Sequence, residues 1–320
     1  MRPLPFTLPR IGMGCAGIGN LYREVSDAEA EATVAAALEA GIRYFDTAPF
    51  YGFGLSERRL GAALGQAEVT ISTKVGRLLE SASDPARERH GFVGGDPFEP
   101  VFNYSRDAVL RSHEESLKRL RRDRVNFLLA HDLGALTHKE NAGHHMRAFL
   151  DGGYEAMVEL RDAGAVGAIG IGVNETAVAE ELLERVDLDV ILLAGRYTLL
   201  DRQAAESFLP LAEAKGVHVI VGGPYNSGIL ATADRSNARY DYQEAPAHVL
   251  ARADALAALC AAHGVALPAP ALQFPLRHPA VACVIPGLVG PAQVAETLAR
   301  MDAAIPDTLW AALGPPLESM

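Results

Sequence analysis

Basic charge is in short supply in this chain. Its 320 residues hold 29 Lys plus Arg against 40 Asp plus Glu, a formal net charge of −11 at pH 7. A phosphate backbone needs a basic face, so nucleic acid is excluded as the partner, while a small anionic cofactor needs only a local patch. Cysteine is scarce as well. Cys15, Cys260 and Cys283 are scattered with no CxxC spacing, and they read as small buried hydrophobes in a reducing compartment. Long apolar runs are missing. No stretch approaches the ~20 consecutive apolar residues of a membrane span. Met1 to Arg10, with two Arg and three Pro, lacks the apolar segment of a secretory leader. The expectation is a cytoplasmic protein, monomeric or a small homo-oligomer.

What is present is an ordinary globular composition, 49% hydrophobic and 22% charged, and enough length to bury a large core without staples. Length alone leaves one or two domains open, because α/β barrels reach this size as one. Short apolar runs recur at Ile42 to Phe45, Val69 to Ser72, Val125 to Ala130, Val166 to Val173, Val190 to Ala194, Val217 to Val221 and Val281 to Ile285, with a weaker one at Ile11 to Gly14. Continuous apolar runs of this length suit strands buried on both faces.

Helix-like segments alternate with them. Ser26 and Glu29 have the spacing of a capping box ahead of Ala30 to Ala40, and Gly41 stands where helices stop. Leu55 to Leu64, Ser105 to Leu120, Tyr154 to Ala163, Thr176 to Arg185, Ala204 to Lys215, Val249 to His263 and Pro291 to Met301 follow. Eight βα units imply a parallel sheet and the count of a TIM (β/α)8 barrel, 1–320 forming one domain, with an open doubly wound sheet as the rival. Gly12 to Gly17 spells GxGxxG, but no buried strand precedes it and no helix follows, so a dinucleotide-binding turn is not read there.

Connections after strands three, four and seven are long: Lys74 to Tyr104, Leu133 to Gly153 and Gly223 to His248. All three lie on the C-terminal side of their strands, the face on which barrels build active sites. Asp46, Lys74 and His131 end strands two, three and four, and Tyr51 follows Asp46 in a Pro/Gly turn. In a barrel these four converge on one mouth. A phenol titrates near 10, and a neighbouring ammonium lowers that value, so the set reads as an acid–base device for a carbonyl or alcohol that needs no metal. Phe102, Tyr104 and Tyr154 are position-based candidates for substrate contact. His138, His144 and His145 read as a solvated lid rather than a metal site.

At this point the sequence resembles the aldo-keto reductases. The carrying string runs from Gly41 to Gly52, with Ser56-Glu57 and Leu60-Gly61 behind it, then Ile71 to Lys74, Val284 to Gly287 and Gln293 to Glu296. The resemblance implies a TIM barrel, direct hydride transfer with NAD or NADP, and a catalytic tetrad of Asp46, Tyr51, Lys74 and His131. Around the cofactor it implies Asn174, Tyr197, Gly222, Pro224, Tyr225, Ser227, Gly228, Leu230, Gly287, Gln293 and Glu296. Where many members carry Lys and Arg for the 2′-phosphate of NADP, Gly287 and Gln293 are uncharged, which implies NAD as the preferred cofactor with NADP as the alternative.

A narrower likeness, in Ala194 to Leu200, Gly222 to Leu230, Gly19 to Tyr22 and Gly172 to Glu175, is to the branch of that family holding D-threo-aldose (L-fucose) 1-dehydrogenases and pyridoxal 4-dehydrogenases. It implies a small neutral sugar, oxidised at its anomeric carbon to the lactone. Pyridoxal oxidation and aldehyde reduction are the nearest alternatives. Further off stand a regulatory subunit on the same fold and an aldolase using Lys74 as a Schiff base.

Overall fold

In a computed structural model, which describes residues 1–236, 238–241 and 243–314, eight parallel strands follow one another in chain order around a single sheet. They are β1 (Met13–Gly14), β2 (Tyr44–Asp46), β3 (Thr70–Val75), β4 (Val125–His131), β5 (Val166–Val173), β6 (Val190–Ala194), β7 (His218–Gly222) and β8 (Val281–Ile285). Parallel bridges Ile11 to Val284 and Gly14 to Gly287 join the last strand to the first. An order that never reverses and returns on itself is a barrel, and it rules out the doubly wound sheet.

Between the strands run α1 (Asp27–Glu39), α2 (Leu55–Leu64), α3 (Arg106–Leu120), α4 (Tyr154–Asp162), α5 (Thr176–Arg185), α6 (Phe208–Lys215), α7 (Ala247–Ala262) and α8 (Pro291–Asp302). Alternation along β4 shows how the layers divide. Phe127 and Leu129 point into the barrel with Tyr44, Ala168, Val190, Leu192, Ile220, Cys283 and Ile285. Leu128 and Ala130 face the helices. This is the period of two acting inside a strand that is apolar on both faces. The N-terminal segment closes the bottom: Leu4, Phe6 and Leu8 pack on the inner cluster, and Phe6 meets Phe127 edge-on at 4.9 Å. All three cysteines are buried and free. No helix among the described residues is long and apolar enough to cross a membrane.

Several boundaries move from expectation. Ser26 caps α1, its hydroxyl accepting from the Glu29 N–H at 3.1 Å, yet the Glu29 carboxylate turns away to Arg23 at 2.6 Å instead of completing the box. The helix expected over Ala204 to Lys215 is a 3₁₀ turn, Gln203–Ala205, followed by α6 starting at Phe208. Pro210 is the reason, since its ring clashes with the carbonyl four residues back and proline is tolerated only in a helix's first turn. Glycines of the GxGxxG string serve packing. A side chain at Gly12 would strike the Tyr44 ring at 2.6 Å, and a 3₁₀ turn rather than a helix follows.

The long connections are structured. Arg77–Ser81 pairs antiparallel with Phe98–Phe102. After β4 come short helices Ala135–His138 and Ala142–Ala148 and a π-helical turn, Phe149–Gly153, that runs into α4. After β7 the strap Arg239–Tyr240 pairs with Gln243–Glu244. Short helices at Pro268–Gln273 and Asp307–Ala312 complete the fold and were not expected from the sequence.

Candidate active site

β2, β3 and β4 lie side by side, Asp46 in register with Ser72 and Lys74 with Leu129. Their C-terminal ends therefore converge. The Lys74 ammonium lies 2.9 and 2.8 Å from the two carboxylate oxygens of Asp46, 2.9 Å from the Thr47 carbonyl and 3.2 Å from the Tyr51 hydroxyl. Ser72 donates to Asp46 at 2.6 Å, and Tyr44 lies 2.9 Å from Ser72. The ring of His131 sits 5.9 Å from that of Tyr51, nearly perpendicular. Asp46, Tyr51, Lys74 and His131, separate in sequence, are thus brought together as expected. Lys74 is buried inside β3 rather than beginning the surface.

The electrostatics differ from expectation. Tyr51 is pushed well above the usual phenol range, chiefly by burial and then by the charges of Asp46 and Asp132, with Arg77 pulling the other way. The Lys74 ammonium is shared between the Tyr51 hydroxyl and the Asp46 carboxylate, whose own charge pushes the phenol upward. Tyr51 is therefore a protonated phenol at neutral pH. Burial, aided by Arg77 and Lys74, holds His131 well below its ordinary value, so its imidazole is neutral.

These groups open onto a cleft of about 530 Å3 on the C-terminal face. Phe50, Phe92 and Phe102 give it an aromatic wall; Arg77, Asp132 and Asn174 give it a polar one. Arg77 and Asp132 form a buried ion pair, and the guanidinium lies 4.0 Å over the Phe50 ring. The strap closes part of the mouth, with Arg239 over the Tyr22 ring at 4.9 Å. Sequence reasoning passed over Arg77 and Asp132, although they stand three residues after Lys74 and one after His131. Lone charges at strand ends look like the start of the surface until the barrel brings them together.

Other expectations are corrected. Tyr104 is fully buried and donates to the carbonyls of His131 at 2.5 Å and Asp132 at 2.9 Å, so it holds the end of β4 and cannot touch substrate. Tyr154 bonds to Asp187 ahead of β6, at the opposite end of the barrel. His138 is buried, 2.9 Å from the Tyr104 hydroxyl and 2.7 Å from the Asp132 carbonyl, and stacks on His145 at 4.1 Å; it is part of the floor, not a solvated lid. Phe102 does line the cleft. No cluster of His, Cys, Asp and Glu able to hold a metal occurs among the described residues.

Of the positions expected at the cofactor, Asn174 lines the cleft. Gly222 ends β7, Pro224, Tyr225, Ser227 and Gly228 belong to the turn beyond it, and Gly287, Gln293 and Glu296 stand beyond β8. Tyr197 is corrected: its ring is fully buried between Phe274 at 5.3 Å and His278 at 6.0 Å, away from the cleft. Leu230 is corrected as well, being core-buried with its N–H on the Tyr225 carbonyl. Glu175 accepts from the Leu136 N–H at 3.1 Å and so caps the first short helix after β4. The turn beyond β7 fits a polar ligand. Asn226 donates to the Gly195 carbonyl at 3.1 Å, but its buried Oδ1 has no partner. A side chain at Gly287 would meet nothing within 4 Å, which leaves open space at the end of β8.

A closed parallel barrel with a buried Lys–Asp pair against a tyrosine and a histidine at its mouth is the framework of a redox enzyme acting on small molecules. The Aldo/keto reductase family profile matches residues 10–314, and the chain belongs to that family. It is 40% identical over 319 residues to pyridoxal 4-dehydrogenase of Microbacterium luteolum and 38% identical over 316 residues to D-threo-aldose 1-dehydrogenase of a Pseudomonas species, each alignment covering 96% of this chain and 93% of the relative. Among solved structures, the holo form of an aldo-keto reductase from Bacillus halodurans shares the fold with a TM-score of 0.74 at 24% identity, covering 95% of this chain and 90% of that one. The protein is an NAD(P)-dependent oxidoreductase with a small-molecule substrate.

Proposed function

We propose that this enzyme oxidises the anomeric carbon of a neutral aldose in its ring form, giving the lactone, with NAD as the preferred cofactor. The observation that carries this reading is the composition of the cleft. Asp132, Arg77 and Asn174 offer both acceptors and donors to hydroxyl groups, while Phe50, Phe92 and Phe102 offer faces to the C–H side of a sugar ring. The 38% identity to a D-threo-aldose 1-dehydrogenase supports it.

In this mechanism the His131 imidazole, neutral in its buried setting, hydrogen-bonds the anomeric oxygen and orients it. The anomeric hydroxyl gives its proton to the Tyr51 oxygen, which takes it up in its ionised form, and Lys74, held by Asp46 and the Thr47 carbonyl, fixes that oxygen from 3.2 Å. The aromatic wall excludes water. A nicotinamide cofactor, when bound, supplies the acceptor for the hydride from the anomeric carbon. Asn174 at the cleft and the turn Gly222 to Gly228 would hold it, with Gly287, Gln293 and Glu296 toward its adenosine end. Gln293 is uncharged and its carbonyl oxygen caps the Val289 N–H at 2.9 Å, while Glu296 is paired with Arg300 at 2.9 Å. No cation stands at 287 or 293 to meet a 2′-phosphate, which supports NAD.

Pyridoxal is the second reading, favoured by the 40% identity to a pyridoxal 4-dehydrogenase and by the aromatic wall, which suits a pyridine ring. The deciding experiment follows NAD reduction across L-fucose, D-arabinose, L-galactose, D-glucose and pyridoxal. An aldose with the highest kcat/KM is expected; pyridoxal far ahead of every sugar overturns the proposal. In parallel, Tyr51→Phe lowers turnover by orders of magnitude with cofactor affinity retained, and a variant turning over like the parent overturns the tyrosine's role.

A further inference from the structure

Side chains alternate along a strand, so His131 at the end of β4 and its neighbour Asp132 would ordinarily face opposite ways. Both line the cleft. The backbone turns left-handed at Asp132, with φ of 47°, a conformation that is strained for a residue with a side chain. Tyr104, donating to the carbonyls on both sides of that turn, holds it in place. The outcome is a carboxylate whose Oδ2 lies 3.6 Å from His131 Nε2.

That carboxylate is paired with Arg77, and the pair is buried: Asp132 is 9% exposed and Arg77 4%. A buried ion pair repays its desolvation only when its remaining donors and acceptors are satisfied. Here they are not. Arg77 Nε has no hydrogen-bond partner, and the second oxygen of Asp132 has Asn174 Nδ2 at 3.4 Å, a long contact. Unused donor and acceptor capacity beside the histidine, on the wall of a cleft, fits a ligand hydroxyl that both donates and accepts.

We propose that Asp132 and Arg77 form a subsite for the hydroxyl on the carbon next to the reacting one, which makes the enzyme selective for substrates carrying a hydroxyl there. Neighbouring hydroxyls on a sugar ring lie little more than a hydrogen-bond length apart. A substrate oxygen held by His131 therefore brings the adjacent hydroxyl to the carboxylate 3.6 Å from that imidazole. The hydroxyl donates a hydrogen bond to Asp132, and Arg77 donates one to its oxygen. Phe50, beneath the guanidinium at 4.0 Å, keeps Arg77 from swinging out to solvent. This inference rests on the aldose reading given above.

The test compares L-fucose with 2-deoxy-L-fucose in the parent enzyme, in Asp132→Asn and in Arg77→Lys. A site built to bond a hydroxyl rejects the analogue lacking it, so the parent should favour L-fucose by about 100-fold or more in kcat/KM. Asp132→Asn brings the two sugars to within about threefold, through loss on L-fucose rather than gain on the deoxy sugar. Arg77→Lys, which keeps a cation for Asp132, falls between. A binding readout runs beside turnover: 1,5-anhydro-L-fucitol, which has the 2-hydroxyl and no anomeric hydroxyl, competes with L-fucose in the parent and loses that competition in Asp132→Asn. Aldose oxidation with an undiminished preference in Asp132→Asn overturns the subsite and leaves the aldose reading standing. No oxidation of any aldose by the parent overturns both.

Discussion

The buried hydroxyl of Tyr104 donates to the backbone carbonyl of His131 at 2.5 Å. An aromatic residue from the β3–α3 connection thereby fixes the last residue of β4, and with it the imidazole at the mouth of the barrel. Tyr104→Phe keeps the ring and deletes the bond. A buried carbonyl left without its partner costs about 1–3 kcal/mol. The variant is expected to unfold at lower urea concentration and to lose turnover severalfold, with cofactor affinity unchanged. Kinetics and urea titration of the same preparation check both, and full turnover in a measurably destabilised variant would show that the bond serves stability alone.

His138 shares this floor and is held at about 4, below the usual histidine value, mainly by burial and then by the neighbouring His145. Below its unfolded value of about 6.5, the unfolded chain takes up a proton that the folded chain refuses. Stability is therefore complete above 6.5 and declines as the pH drops from there toward 4. His138→Gln removes part of that decline. Melting temperatures of both proteins between pH 4 and 7.5 test it; parallel curves contradict the assignment.

Tyr51 is held as a phenol by burial and by the Asp46 and Asp132 charges. Sugar oxidation requires the phenol oxygen to accept a proton, whereas carbonyl reduction requires it to give one. Oxidation kcat/KM should climb steadily between pH 7 and 10, approaching tenfold per unit when proton transfer limits the rate. Reduction should hold level over the same range. An oxidation profile that is flat from 7 to 10 would mean that another group moves the proton.

Lys74 and Asp46 are both buried, 2.8 Å apart. Removing one partner strands the other's charge, and such a loss costs roughly 3–5 kcal/mol. Lys74→Met and Asp46→Asn are each expected to destabilise by that order, and the two together by less than the sum of the single changes. Turnover remains lost in both variants that lack Lys74, since the contact to Tyr51 is gone. Chemical denaturation of the three variants checks the coupling.

Gln293→Arg places a guanidinium on the first turns of α8, where a 2′-phosphate is expected. The ratio of kcat/KM for NADP over NAD should rise at least about tenfold, the scale of a charge-assisted bond. The dissociation constant for NADP, measured by fluorescence quenching, should fall with it. An unmoved ratio would place the adenosine end elsewhere.

The eight-strand beat was legible because strands buried on both faces must be continuously apolar, and β4 to β8 fall almost where those runs lie. The tetrad was legible because each member ends a strand or follows one, and parallel strands bring their ends to one side. Helical segments in the β4 connection were not legible, since their stability comes from tertiary packing: His138 stacks on His145 and bonds Tyr104, contacts that no local pattern announces. Tyr197 was misread for the converse reason, because sequence position cannot say whether a ring turns to the cleft or to Phe274.

The sequence by itself therefore determined the barrel, the convergence of Asp46, Tyr51, Lys74 and His131, and the absence of basic residues at 287 and 293. These depend on periodicity and strand order, which are local quantities. Tertiary structure alone decided the protonation of Tyr51 and His131 and the second charge pair beside them. Desolvation and Coulomb interaction depend on distances across the barrel: 3.2 Å from Lys74 to Tyr51, 2.8 Å from Lys74 to Asp46 and 3.6 Å from Asp132 to His131.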